Sequence, residues 1–360
     1  MTSGAPDLAS RQRAALSVLV SGLTTEHEFE LARWLLALPG SAPTQQFDGD
    51  AEAVESFARL HRVRSLAAAR LPDLGFDRLA PLSEAMAIQR HLLRAHGALT
   101  SADVEVLVLK GLATAQLDHE VPGFRESGDV DLLVRPGEVA KAWRALVDAG
   151  YSHKVTHPFR RPRFFHSETF IHADGTEVDV HHRLAQPGFA PVSCWGSPDT
   201  FSLGGQTFRA MSRDWRFVHA VLHQMMNPPP SFRGLNGMLD CVALWRAGVD
   251  LASARAAASE VGQSELLERG TARLRTVLLD DTPAIRVDTT RIERRHAAAL
   301  DGNAPVPGHT AFAAGVAAQP LRYRPAYLRD LVWPSKAYRH LLDVRLGPQI
   351  RHVVSEAIGR

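Results

Sequence analysis

Cysteine is nearly absent from this chain: Cys194 and Cys241 are the only two in 360 residues. That excludes a disulfide framework and a thiolate metal cluster, and it fits a reducing compartment, so a cytoplasmic location is expected. Aromatic residues are scarce at 7%, and charge is nearly balanced, with 41 Lys and Arg against 39 Asp and Glu. A formal net charge of +2 neither demands nor excludes a nucleic-acid partner. Long hydrophobic runs are missing too. No stretch reaches the roughly eighteen uninterrupted apolar residues of a membrane span, so no membrane partner is expected. Arg11 and Arg13 precede an apolar stretch from Ala14 to Leu23, a faint echo of a secretory leader. "TTEHEFE" follows with no small-residue cleavage site, and an amphipathic helix accounts for the pattern. No internal repeat suggests a solenoid.

What the chain does contain is helical periodicity at both ends and a β-rich middle. Val54, Phe57, Leu60, Val63 and Leu66 recur at three-residue steps, and Met86, Ile88, Leu92 and Leu99 mark another helical stretch, so residues 1–100 read as a helical lobe. "VEVLVLKG" is rich in aliphatic and β-branched residues and reads as a strand ending at Gly111, with "LATAQLDHE" as the helix after it. "GDVDLLV" is the next strand, and residues 138–149 form a helix burying Val139, Trp143 and Leu146 and stopping at Gly150. Residues 163–183 read as two strands around Asp174-Gly175, a pair suited to a tight hairpin turn. From Arg213 helical periodicity returns and continues to the terminus through an irregular connector over 280–309. The expected class is α+β: a small mixed-sheet core over 101–185, flanked by helical lobes over 1–100 and 205–360.

The strand "GDVDLLV" poses the chemical question. Alternation turns Val130, Leu132 and Val134 to one face and Asp129 and Asp131 to the other, which means either a solvated outer face or a metal site. The later strand "EVDVH" puts Glu177, Asp179 and His181 on one face. If the two strands are neighbours, three carboxylates converge, and hard divalent ions such as Mg²⁺, with Mn²⁺ as a substitute, prefer such oxygen ligands. Attack on the α-phosphorus of a nucleoside triphosphate needs charge neutralised on both the attacking and the leaving oxygens, which a pair of metals does. Gly111 at a strand-to-helix turn allows main-chain amides to approach a triphosphate, Lys110 supplies a point charge, and Arg125 offers a bidentate phosphate contact.

The ordered blocks "VLVLKGLATAQL", "FRESGDVDLLV", "LVDAGY" and "VDVHHRL" resemble the DNA polymerase beta-like nucleotidyltransferase superfamily over residues 104–184. They resemble more closely the bacterial uncharacterised nucleotidyltransferase family. That resemblance implies metal-binding, catalytic acids at Asp129, Asp131 and Asp179, with Lys110, Gly111, Arg125 and Ser127 at the nucleotide. The superfamily usually carries Gly or Ser after the turn glycine, where this chain has Leu112. The implied donor is an NTP such as ATP, and the implied activity is transfer of NMP to a hydroxyl or phosphate of an acceptor that the sequence does not name.

Further residues carry open readings. His181 and Glu177 are candidates for supporting the acids or orienting an acceptor. Arg160, Arg161 and Arg163, beside Phe164 and Phe165, form either a solvated loop or an anion clamp. His219 and His223, one helical turn apart, have a zinc-compatible spacing without an evident third ligand, and Trp215, Trp245 and Trp333 read as packing residues. The last forty residues hold eight Lys or Arg against three Asp or Glu, which keeps an RNA contact open. A small molecule or peptide is the favoured acceptor. The alternatives are a toxin-like enzyme acting on tRNA or protein, and a catalytically silent nucleotide-binding protein.

Overall fold

The computed structural model describes residues 8–20, 23–36, 50–71, 74–75, 77, 79–154, 164–184, 191–226, 234–278, 316 and 321–335. The chain opens with helices α1 (Leu8–Leu19), α2 (Glu26–Leu36), α3 (Ala51–Leu60), α4 (Arg64–Arg70) and α5 (Leu79–Ser101). The middle runs β1 (Val106–Val108), α6 (Lys110–Leu117), β2 (Asp129–Val134), α7 (Val139–Asp148), β3 (Ser152–Lys154), β4 (Ser167–Ile171), β5 (Glu177–His181), β6 (Asp199–Leu203) and β7 (Gln206–Ala210). Helices α8 (Arg213–Met226), α9 (Leu235–Arg246), α10 (Leu251–Glu260), α11 (Ser264–Leu278) and α12 (Arg324–Val332) follow. The fold is α+β. No helix among the described residues is long and apolar enough to cross a membrane.

The seven strands form one mixed sheet in the order β3-β4-β5-β2-β1-β7-β6. β2 lies between β1, antiparallel, and β5, parallel. Strand alternation divides the core in two. Val106, Val108, Val130, Leu132, Val134, Val178 and Val180 pack with Leu92 and Leu99 of α5 and Val139, Ala142 and Leu146 of α7. On the other face Leu107, Leu109 and Leu133 join a core that contains residues of α1, α2 and α3 as well as of α8, α9 and α11. The first and last helical stretches thus share one core, and Gln12 Nε2 on α1 donates 3.0 Å to the Val277 carbonyl on α11. Asp129 and Asp131 lie on the same face as Leu133, turned toward these helices.

The structure departs from the sequence reading in five places. The apolar series from Val54 to Leu66 is not one stripe: α3 stops at Leu60, Arg62 adopts φ +54°, and α4 starts anew at Arg64. β1 ends at Val108 instead of running on to Gly111, because Lys110 adopts φ +46° and begins α6. The edge strands β3 and β6, and β7 between β6 and β1, are additions. They escape periodicity because β3 is wholly exposed and β6 buries Phe201 alone, although the Gly204-Gly205 turn with φ of +56° and +77° is a hairpin signal. Trp143 is only half-buried, stacked on His153 and Phe165, and Ala142 takes the buried position instead. Trp215 is buried and Trp245 packs against the core, but Trp333 is 48% exposed at the end of α12. The connector over 280–309 and residues 336–360 of the basic tail lie outside the described residues.

The hairpin between β4 and β5 forms as expected, with Gly175 at φ +88°. Its tip is buckled to α5: His91 Nε2 lies 2.8 Å from Asp174 Oδ2, and His91 Nδ1 lies 2.8 Å from the Tyr151 hydroxyl. Although His91, His172 and Asp174 have metal-compatible spacing, Arg94 Nη1 sits 2.5 Å from His172 Nε2 and Arg90 lies 3.7 Å from Asp174. One guanidinium already faces that carboxylate and another faces the His172 ring.

Candidate active site

Parallel pairing of β2 with β5 sets Asp129 beside Glu177 and Asp131 beside Asp179, all on the face turned to the helical core. Asp131 is 4% exposed, which rules out a solvated outer face for this strand. Its Oδ1 accepts from Lys110 Nζ at 2.6 Å and lies 2.7 Å from His181 Nε2. Among the described residues no hydrogen bond reaches its Oδ2. Asp179 Oδ1 is buried and has no hydrogen-bond partner. Asp131, Asp179 and His181 each offer a ligand atom within 4.8 Å of the others. Such crowding of acid has the expected electrostatic signature. The charge of Asp131, reinforced by burial, pushes Asp129 up to about 6, against the opposing influence of Lys110. Burial would raise Asp131 as well, but the Lys110 charge and the His181 hydrogen bond hold it well below the usual carboxylate range.

A cleft of about 390 Å³ opens over Asp129 and Asp131, with Asp179 behind them in the sheet. One side holds Arg62, Lys110, Gly111, Ser127, Asp129 and Asp131; the other holds Arg216, His219, His223, Asn236 and Asp240 from α8 and α9. Gly111 is sterically required, because a Cβ there would lie 2.6 Å from Ser127 Oγ and 2.9 Å from the Arg125 guanidinium carbon. Ser127 Oγ is buried and has no hydrogen-bond partner, a second orphaned polar group beside the acids.

Of the cations read from sequence as phosphate contacts, neither is turned to the cleft as a free donor. Lys110 is committed to Asp131, which keeps it protonated despite burial. Arg125 grips Asp240 of α9 with Nε at 2.9 and 3.0 Å from its two oxygens and Nη2 at 2.8 Å from Oδ2, and its Nη1 donates to the Glu126 carbonyl. The guanidinium holds α9 to the β2 approach, so Arg125 lines the cleft engaged on Asp240 instead of standing open as expected. Glu177, at the outer end of the acid row, pairs with Lys154 of β3. Arg160, Arg161 and Arg163 lie outside the described residues.

Several cleft residues were not singled out for this site by sequence reasoning. Asp240 has a signal in hindsight: an acid inside the apolar run Leu235, Met238, Cys241, Val242 and Leu244 must find a cation when buried. His119 Nε2 lies 2.9 Å from its Oδ1 and completes the clamp. His219 and His223 face the cleft, and the His219 ring centroid is 6.5 Å from that of His181. They join no three-ligand metal group among the described residues. Burial and the Lys110 charge push His219 well below the usual histidine range, so it stands as a neutral imidazole. Arg216 is spent on Asp118 and Asp199.

A family model described as uncharacterised nucleotidyltransferase matches residues 48–278. The chain belongs to this family. The match begins before α3 and ends at the last residue of α11, so it takes in both walls of the cleft. Among solved structures, an antigenic nucleotidyltransferase-like protein from Paracoccidioides brasiliensis is similar at 17% identity and a TM-score of 0.36, over 54% of this chain and 88% of its own. The antibiotic-resistance factor ANT(2'')-Ia is similar at 14% identity and a TM-score of 0.36, over 55% of this chain and 96% of its own. No curated protein matches the sequence. By family this protein is a nucleotidyltransferase.

Proposed function

We propose that this nucleotidyltransferase moves NMP from an NTP to a hydroxyl or phosphate of a small-molecule or peptide acceptor, with Mg²⁺, or Mn²⁺ in its place, held by Asp129, Asp131 and Asp179. The observation that carries the reading is the in-register pairing of Asp131 with Asp179, which leaves Asp179 Oδ1 buried and unpartnered. A buried carboxylate oxygen with no donor is costly unless a cation completes it, and the elevated pKa of Asp129 reports the same excess of negative charge. The donor set fits a hard divalent ion.

When bound, such ions neutralise charge on the attacking and leaving oxygens of phosphoryl transfer. The chain's own residues supply the rest. Lys110 and His181 hold Asp131 by one oxygen and leave the other toward the cleft. Gly111 lets the start of α6 close against Ser127, so that the helix N-terminus and the orphaned hydroxyl face an anionic donor. The opposite wall favours a small acceptor. It presents His219, His223 and Asn236, while Arg125 and Arg216 are engaged by internal carboxylates, so among the described residues no open basic stripe for RNA lines the cleft. Two buried free thiols agree with a cytoplasmic setting.

The test is a thermal-shift series with each of the four NTPs, with and without Mg²⁺, on the wild type and on Asp129→Asn/Asp131→Asn. A ligand that binds only the native state raises its apparent stability, so no acceptor is needed. A Mg²⁺-dependent shift with at least one NTP, lost in the double variant, is the expected result. A folded wild type that shifts with none of them sinks the reading.

A further inference from the structure

The two cations that sequence assigns to the triphosphate are occupied, yet a third lines the cleft and has no acid partner. Arg62 stands in the short break between α3 and α4 and borders the cleft beside Gly128 and Asp129. Among the described residues no carboxylate lies within ion-pair distance of its guanidinium, and it is exposed. Neighbouring arginines behave differently: Arg59 pairs with Glu55 at 2.8 Å, and Arg64 pairs with Glu84 and Glu126.

Two features fix Arg62 where it is. Its backbone takes φ +54°, a conformation disfavoured for a non-glycine residue, which turns the chain out of the α3 helical path. Only three described non-glycine residues have positive φ, and two of them, Arg62 and Lys110, are cations lining this one cleft. The side chain then lies against Gly128: a Cβ on that glycine would sit 2.1 Å from Arg62 Nη1 and 2.6 Å from its guanidinium carbon. Glycine at 128 therefore leaves the space that the guanidinium fills, one residue before the acid pair. Its charge is felt there, since Arg62 is among the groups that oppose the rise in the Asp129 pKa.

We infer that Arg62, contributed by the N-terminal helices, binds the polyphosphate of the donor nucleotide at the mouth of the acid site. The inference rests on the NTP-donor reading above. It assigns to Arg62 the anion contact that Arg125 is too committed to make. A planar, always-charged guanidinium with an unspent donor edge suits phosphate oxygens in bidentate fashion. A glycine backbone beneath it lets the anion approach without a side chain in the way.

Binding of each Mg²⁺·NTP, of Mg²⁺·tripolyphosphate and of each free nucleoside is measured calorimetrically on the wild type, Arg62→Gln, Arg62→Lys and the control Arg59→Gln. Tripolyphosphate makes the readout independent of the base. Arg62→Gln is expected to weaken NTP and tripolyphosphate alike by about 10- to 100-fold, the range for a charged hydrogen bond. Arg62→Lys should recover part of the loss, with nucleoside binding and Arg59→Gln unchanged. Arg62→Gln binding NTP as tightly as the wild type would overturn the inference. So would equal weakening by Arg59→Gln, which would indicate bulk charge, or a matching loss of nucleoside, which would indicate a local fold defect. Tripolyphosphate bound through Arg62 by a wild type that binds no NTP would keep the anion site and sink the donor reading. Binding of neither would sink both.

Discussion

Asp131 and Asp240 are both buried carboxylates held by one cation and one histidine, Lys110 with His181 in the first case and Arg125 with His119 in the second. The pairs differ in how completely they are used. Asp240 stands alone on α9 and accepts on both oxygens, the Arg125 fork bonding Oδ1 and Oδ2 and His119 adding to Oδ1. Asp131 stands in a row of acids and accepts on Oδ1 only. A carboxylate whose lone pairs are filled by protein donors is a structural clamp. One left half-filled beside an orphaned neighbour is poised for a ligand.

The difference can be broken at either end. Asp240→Asn should have the largest effect on the fold, leaving Arg125 buried without its counter-charge at a cost of about 3–5 kcal/mol in chemical denaturation. Asp131→Asn should cost less, because the Lys110 side chain left behind is 20% exposed against 10% for Arg125, while Mg²⁺-dependent nucleotide binding disappears. Equal destabilisation by the two variants would erase the distinction between clamp and ligand.

Acid offers a milder route to the clamp. His61 is fully buried and its Nδ1 accepts 3.2 Å from the Leu235 amide at the start of α9, so protonation breaks a bond to the helix that carries Asp240. Burial lowers its pKa from 6.5 to about 4, so the unfolded chain takes up this proton first. Its contribution is intact above pH 6.5 and is lost as pH falls through 4, on the order of 3 kcal/mol in all. A denaturation series from pH 7 to 4 on the wild type and His61→Asn should show a flatter profile in the variant.

Smaller effects sharpen the other end. His181→Ala removes the group that orients Asp131 and should raise the Mg²⁺ needed for half-maximal nucleotide binding by roughly 10- to 100-fold, measured below the melting temperature that the buried cavity also lowers. Asp129→Asn relieves repulsion from Asp131 and should stabilise the metal-free protein at neutral pH by about 1–2 kcal/mol, the partial exposure of Asp129 reducing the effect. Saturating Mg²⁺ should cancel or reverse that advantage. A metal-free variant no more stable than wild type would show that the acids do not repel as their spacing implies.

Strand alternation made the acid row legible from residues alone, because the geometry of Asp129 and Asp131, or of Glu177, Asp179 and His181, is set within a few bonds of backbone. The hairpin at Asp174-Gly175 was readable for the same reason: its turn is local, whereas the steric need for glycine at position 111 comes from Ser127 and Arg125 and is not. Neither the neighbour relation of β2 and β5 nor the partner of any charge is local. Lys110 and Asp131 are 21 residues apart and Arg125 and Asp240 are 115 apart, so which cation is spent and which stays open depends on how α9 and the sheet meet. The break that presents Arg62 was hidden inside an unbroken apolar spacing. Short-range periodicity therefore determined which acids share a face. Only tertiary packing decided which of the buried charges among the described residues are paired within the protein, as Asp240 is, and which are left with an orphaned oxygen, as Asp179 is, because an ion pair in a low-dielectric interior forms only where two distant segments meet.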